Sequence, residues 1–147
     1  MASPAEAPSL PRTWRPLGIR LAVVFFGLTL LIVCTAAWFG FSEDIRDRWT
    51  FLQKFTVLAI GAAYAFVGWV LARSRVSASA DSLVVVNGIK VREYEWAEVL
   101  AVHLPPGAPW ATLDLSDGTS VSAMGIQGSD GRRAERSVRE LAALLDR

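Results

Sequence analysis

Leu21 to Phe41 and Phe55 to Ala72 run without a formal charge, and both are bounded by arginine or acidic residues. At about 1.5 Å of rise per residue the first run extends roughly 31 Å and the second roughly 27 Å, enough for each to cross a hydrocarbon core. The pair predicts a transmembrane helical hairpin over residues 19–73, with spans at about 21–41 and 55–72. Trp38, Trp49 and Trp69 fall near span ends, where amphipathic rings form an aromatic belt. Between the runs, Ser42 followed by Glu43 and Asp44 suits the capped start of a short interfacial helix. In the second run Gly61, Ala65 and Gly68 permit close backbone approach. Packing onto the first span is the simpler use of those residues, and homodimerisation through them is the alternative.

Beyond Arg75 the pattern changes to short segments broken by turn residues. Val76 to Ala80 alternates, and Leu83 to Val86 is β-branched and enters Asn87-Gly88, a hairpin signal. Arg92 to Trp96, Val99 to Leu104, Ala111 to Leu115 and Thr119 to Ala123 follow, the last two flanking Asp117-Gly118. A turn centred on Asn87-Gly88 pairs Val86 with Ile89, whereas a wider loop through Val91 shifts the register, and both remain open. After Gly125 to Gly131, helical period returns: Ala134, Val138, Leu141 and Leu145 share one face, with Arg136, Arg139 and Glu140 turned away. Strands first and one helix last predict an α+β unit whose helix covers a sheet face or barrel end. Trp96 is expected to be a core anchor, stabilising by roughly 3 kcal/mol on burial.

Residues 1–18 carry Pro4, Pro8, Pro11 and Pro16 with no apolar period, and are expected to be a disordered tail in which Trp14 rests among headgroups. The first apolar run is too long for a usual signal core, and a second run follows it, so a retained span is favoured over a cleaved leader. Arg12, Arg15, Arg20, Arg73 and Arg75 flank the hairpin on the terminal side, against Arg46, Arg48 and Lys54 in the loop. That asymmetry predicts a multi-pass plasma-membrane protein with both termini cytoplasmic. Of 147 residues, about half remain for one small domain, residues 76–147. A net charge of +1 argues against a nucleic-acid partner. Cys34 is the single cysteine and lies inside the first span, so no disulfide or cysteine metal cluster forms within the chain.

In Leu83-Val84-Val85, Trp96-Ala97-Glu98-Val99, Ala111 to Leu115, Asp117-Gly118-Thr119 and Ala123-Met124-Gly125, the chain resembles the PH-like domain membrane proteins of actinobacteria, including the low molecular weight protein antigen type. The resemblance covers roughly Arg75 to Leu145. It implies a two-span transmembrane hairpin followed by a small PH-like β-sandwich or barrel capped by a C-terminal helix, and it brings no catalytic residues.

Chemistry is sparse. His103, the only histidine, sits between Val102 and Leu104 in an apolar strand, where a structural role outweighs catalysis. With no second histidine, no other cysteine and no phosphate-binding glycine loop, no enzyme, metal or cofactor is expected. Asp114 and Asp117 share a hairpin surface rather than form a catalytic pair. The expected function is a membrane-anchored interaction module, a scaffold or accessory subunit whose partner is a membrane protein or peptide. Its alternative is a peripheral sensor of anionic headgroups, in which Lys90, Arg92, Arg132 and Arg133 meet the lipid. From Arg73 onward nine basic residues face ten acidic ones, a formal charge of −1 that fits weak surface contact. Pro106 and Trp110, in and beside a proline-rich loop, complete the candidate contacts.

Overall fold

The computed structural model describes residues 8–146. Its first strand, β1 (Arg12–Trp14), precedes a long helix, α1 (Gly18–Gly40). A short helix, α2 (Glu43–Asp47), and a second long one, α3 (Phe51–Ala72), complete the hairpin. Six strands follow: β2 (Arg75–Ala78), β3 (Ser82–Asn87), β4 (Lys90–Glu95), β5 (Val99–His103), β6 (Trp110–Leu115) and β7 (Ser120–Gln127). The last described element is α4 (Arg132–Leu145).

Both long helices are apolar on every side, so neither has a face to bury against a soluble core. They meet each other where residues are small. A Cβ on Gly68 would lie 2.6 Å from Val23 Cγ1, and the Tyr64 hydroxyl donates to the Val23 carbonyl at 3.0 Å. Gly68 therefore serves packing within the hairpin, while Gly61 has no neighbour within 4 Å of a built Cβ. The helices run 23 and 22 residues, about 35 and 33 Å, and are long and apolar enough to cross a membrane. They begin earlier than the charge-free runs because Arg20 and Lys54 are taken into their first turns.

The turn between the helices is locally fixed. Thr50 and Gln53 form a reciprocal capping box at the start of α3. Trp38 and Trp49 meet edge to face, ring centres 5.7 Å apart, with Lys54 over the Trp38 ring. Ser42 precedes α2 as expected, but its side chain makes no capping bond.

The expectation of a disordered tail over residues 1–18 needs correction. Residues 1–7 lie outside the described region, but Arg12–Trp14 adds a strand to the sheet, with Trp14 opposite Val76. Trp14 leaves water for the domain core, where it is 5% exposed, and its indole N–H donates to Glu140 at 2.9 Å. Proline prevents helix in this segment, but an edge strand needs only alternate donors and acceptors.

The domain is built from two antiparallel sheets, ordered β1-β2-β3-β4 and β5-β6-β7. Strand β7 crosses β2 and β3, and α4 closes the open end over β5 and β7. Leu83, Val85, Leu113, Ile126 and Leu141 fill the interior. On α4, Ala134, Leu141 and Leu144 are buried, with Val138 and Leu145 half-buried on the same face. Trp96 occupies a 3-10 turn over Trp96–Glu98 and is only half-buried, its indole N–H on the Ser79 carbonyl at 3.1 Å. It packs against the core from the rim because the turn lifts it off the sheet face.

Two glycines behave differently from the sequence expectation. Gly125 does not begin a loop; β7 continues through it to Gln127, and a Cβ there would lie 2.5 Å from the Arg75 carbonyl carbon. The β2 and β7 backbones can cross this closely only at glycine. In the first hairpin Val86 pairs with Val91 and Asn87 with Lys90, which settles the register and makes Gly88 and Ile89 the turn. Gly88, at φ +61°, takes the positive-φ first position that a primed turn requires.

Candidate functional site

Asn87 is free to leave the turn because Gly88 and Ile89 form it. Its amide nitrogen donates to the Ser122 carbonyl and its oxygen accepts from the Met124 N–H at 2.9 Å, which stitches β3 of one sheet to β7 of the other. The tip itself leans on the hairpin: the Gly88 N–H donates to the buried Ser74 hydroxyl at 3.0 Å, and a Cβ on Gly88 would meet Val70 Cγ1 at 2.7 Å. Ile89 and Val91, beside this contact, are exposed.

One further contact fixes the domain to the hairpin, and two others lie within the hairpin's own base. Asp130 accepts from the amides of Leu17 at 2.9 Å and Gly18 at 2.7 Å, supplying an anionic cap to the first turn of α1. Arg20 reaches across from α1 to the Ala72 carbonyl at 2.9 Å, placing a cation at the C-terminal end of α3. Arg73 lies over the Trp69 ring, 4.7 Å from its centre. The start of α1 and the end of α3 thus both adjoin the domain, so residues at the two ends of the chain lie on one side of the hairpin.

The basic residues singled out from the sequence divide between two grooves. Lys90 and Arg92 line one of about 230 Å³ with Val85, Asn87, Ser120, Val121 and Ser122. Arg132 and Arg133 line another, of about 570 Å³, with Arg12, Arg15, Arg136 and Arg139. One rim shared by Lys90, Arg92, Arg132 and Arg133 is not formed. Arg136 and Arg139 do face away from the core as their period implies, but they face this groove, one and two turns from Arg132. Arg12 and Arg15 arrive through β1 and the residue that follows it. Their sequence signal was the alternation in Arg12-Thr13-Trp14, which is short enough to be lost among prolines.

Within the larger groove, Arg12 pairs with Glu140 at 3.1 Å. The same carboxylate takes the Trp14 indole N–H, so both its strong interactions are intramolecular. Glu135 is the other acid lining the groove. Pro106 is exposed in a loop turned at Gly107, while Trp110 is half-buried and pairs with Gln127. Neither lines either basic groove.

His103 Nδ1 lies 3.3 Å from Asp114 Oδ2 across β5 and β6, both side chains substantially exposed. Asp114 also accepts from the Ser120 hydroxyl at 2.8 Å. Asp117 is occupied locally: the Thr119 hydroxyl, then the Thr119 amide, hold its carboxyl below the usual carboxylate range. Each aspartate thus has a nearby structural partner. No group of three potential metal ligands occurs among the described residues.

Two antiparallel sheets closed at one end by a C-terminal helix, carried here behind an apolar two-helix hairpin, are consistent with a PH-like domain. Consistent with that architecture, residues 73–143 match the family model described as Bacterial PH domain. Proteins of Mycobacterium bovis and of two Mycobacterium tuberculosis strains, each named only as an uncharacterized protein, are 34% identical over 89 residues. The alignment covers 60% of this chain and 58% of each relative, so the chain spans little more than half the length of the curated relatives it matches. No solved structure matches it.

Proposed function

We propose that the chain is a membrane-anchored interaction module. In this reading α1 and α3 span the plasma membrane as a hairpin with both termini cytoplasmic, and the PH-like domain is held against the inner face as a scaffold or accessory subunit. The observation that carries it is the junction. Asp130 on the start of α1 and Gly88 against Val70 fix the domain at one end of two helices whose apolar surface is exposed. A flexible tether would leave the domain free to turn; these contacts give it one orientation.

The presented surface is the outer side of β4 and β5. Among the described residues β4 pairs only with β3, and β5 only with β6, so each leaves a row of donors and acceptors on its other edge. Val91 and Leu100 stand exposed on these strands. An extended segment of a membrane protein adding to such an edge gains backbone hydrogen bonds, with side-chain pockets supplying selectivity. The module has no catalytic role in this reading.

The anchor is tested by alkaline carbonate extraction of membranes and by reporter fusions at both termini: the chain stays with the membrane, and both reporters read cytoplasmic. Partner binding is tested with a photo-cross-linking residue at Val91, at Leu100 or at Ser116 in the far hairpin. Discrete adducts with one protein from the first two positions, and none from the third, are expected; equal labelling from all three would dismiss the edge as a partner site. A second reading, sensing of anionic headgroups, is favoured by the arginine groove.

A further inference from the structure

We propose that the groove between β1 and α4 holds the phosphate of an anionic lipid headgroup, beside the point where α1 enters the bilayer. The inference rests on the membrane anchoring above.

The groove gathers six guanidinium groups, from Arg12, Arg15, Arg132, Arg133, Arg136 and Arg139, against the carboxylates of Glu135 and Glu140. Glu140 is engaged by Arg12 and Trp14. Among the described residues, none of the other five arginines has a carboxylate within salt-bridge distance. Like charges drawn into one concavity raise one another's energy, and the folded domain gains nothing from their nearness. Arg132 and Arg133 add to that cost, because they stand in the first turn of α4, where the helix dipole is already positive. An anion seated between them relieves both terms. Phosphate suits the site because guanidinium forks bind its oxygens two at a time.

Position selects a lipid over a free phosphate. Asp130, two residues before Arg132, bonds the Leu17 and Gly18 amides, and Arg15 lies two residues before Leu17. The groove therefore opens next to the first turns of α1, where Leu21 and the residues beyond it expose apolar surface. A diacyl phospholipid there sets its phosphate among the arginines and its chains along α1. The other basic groove has only Lys90 and Arg92 and nothing of comparable charge.

The test uses the full chain in a non-ionic detergent, titrated with phosphatidylglycerol, phosphatidylcholine or inorganic phosphate, with retained ligand read by native mass spectrometry. Phosphatidylglycerol is retained over phosphatidylcholine, and rising salt weakens the retention. Arg132→Gln, Arg133→Gln and Arg136→Gln together weaken it about a hundred-fold, at about five-fold for each charge near a lipid surface. The corresponding triple lysine variant retains most of the binding, which separates lost charge from lost fold, and Lys90→Gln with Arg92→Gln leaves it largely unchanged.

Equal retention of the two lipids, or an unaffected glutamine variant, overturns the proposal. Displacement of the lipid by inorganic phosphate at equal concentration also overturns it, by assigning the groove to a free anion. Release of the chain by alkaline carbonate would instead sink the membrane reading, whatever the titration shows.

Discussion

The hairpin and the domain are both rich in valine, leucine and alanine, yet they use them in opposite ways. In α1 and α3 most large side chains are exposed, among them Phe26, Leu31, Leu58 and Phe66. In the domain Val76, Leu83, Val86, Leu113 and Leu141 are completely withdrawn from solvent. Spacing makes the difference. Apolar residues at period two or 3.6 give an element one apolar face, which another element covers; apolar residues at every position leave surface that only lipid or another helix can satisfy.

The glycines divide in the same way, and they offer the sharpest means of testing the contrast. Gly125→Ala would push a methyl group into the β2 backbone at Arg75 and Val76, where no rotamer change can make room. It is expected to destabilise the domain by about 3 kcal/mol or more. In denaturation followed by near- and far-ultraviolet circular dichroism, the domain signal melts early while the helical signal of the hairpin persists. Simultaneous loss of both signals would show that hairpin and domain fold as one unit.

Asp130→Ala tests the seam between the two regions. It removes the acceptor for two amides at the start of α1. The expected cost is about 1–2 kcal/mol. Hydrogen exchange should quicken at Leu17 and Gly18 while the strands of the domain keep their protection; unchanged exchange at those amides would refute the cap.

A smaller effect is expected at the far hairpin. Asp117 has a lowered pKa, chiefly because the Thr119 hydroxyl bonds its carboxylate. Its contribution to stability is therefore present above the unfolded carboxylate value of about 4 and is lost as pH falls through the lower folded value. The wild-type chain should lose slightly more stability than Asp117→Asn between pH 5 and pH 2.5 in denaturant titrations. Parallel losses in the two chains would remove the ionised aspartate from the turn.

Least change is expected from Gly61→Ala. With open space around it, the substitution is neutral or stabilises α3 by up to about 1 kcal/mol. A loss of hairpin stability in thermal melts would place another helix against this face and turn the comparison with Gly125 into a likeness.

Much of the architecture could be read directly from the residues. Both long helices, their small-residue contact, the strand order after Arg75 and the apolar face of α4 follow from periodicity and turn chemistry. The errors came where a local pattern served a distant contact. Pro-rich residues 8–16 looked unstructured until β2 offered Arg12–Trp14 an edge. Asn87 looked like a turn residue, yet it ties two sheets together. Gly125 looked like the start of a loop, and it permits a backbone crossing.

The candidate site divides along the same line. Arg132 and Arg133 were visible as a basic pair at a helix start. Their association with Arg12 and Arg15 was not, because more than a hundred residues separate the two pairs and no local spacing records that they meet. Sequence alone determined the two apolar helices and the alternation that builds the sheets, because both follow from contacts between near neighbours along the chain. Only the tertiary structure decided that Arg12–Trp14 joins the domain and which arginines share a groove, because those depend on pairings between β1, β2 and α4 that form after the chain has closed on itself.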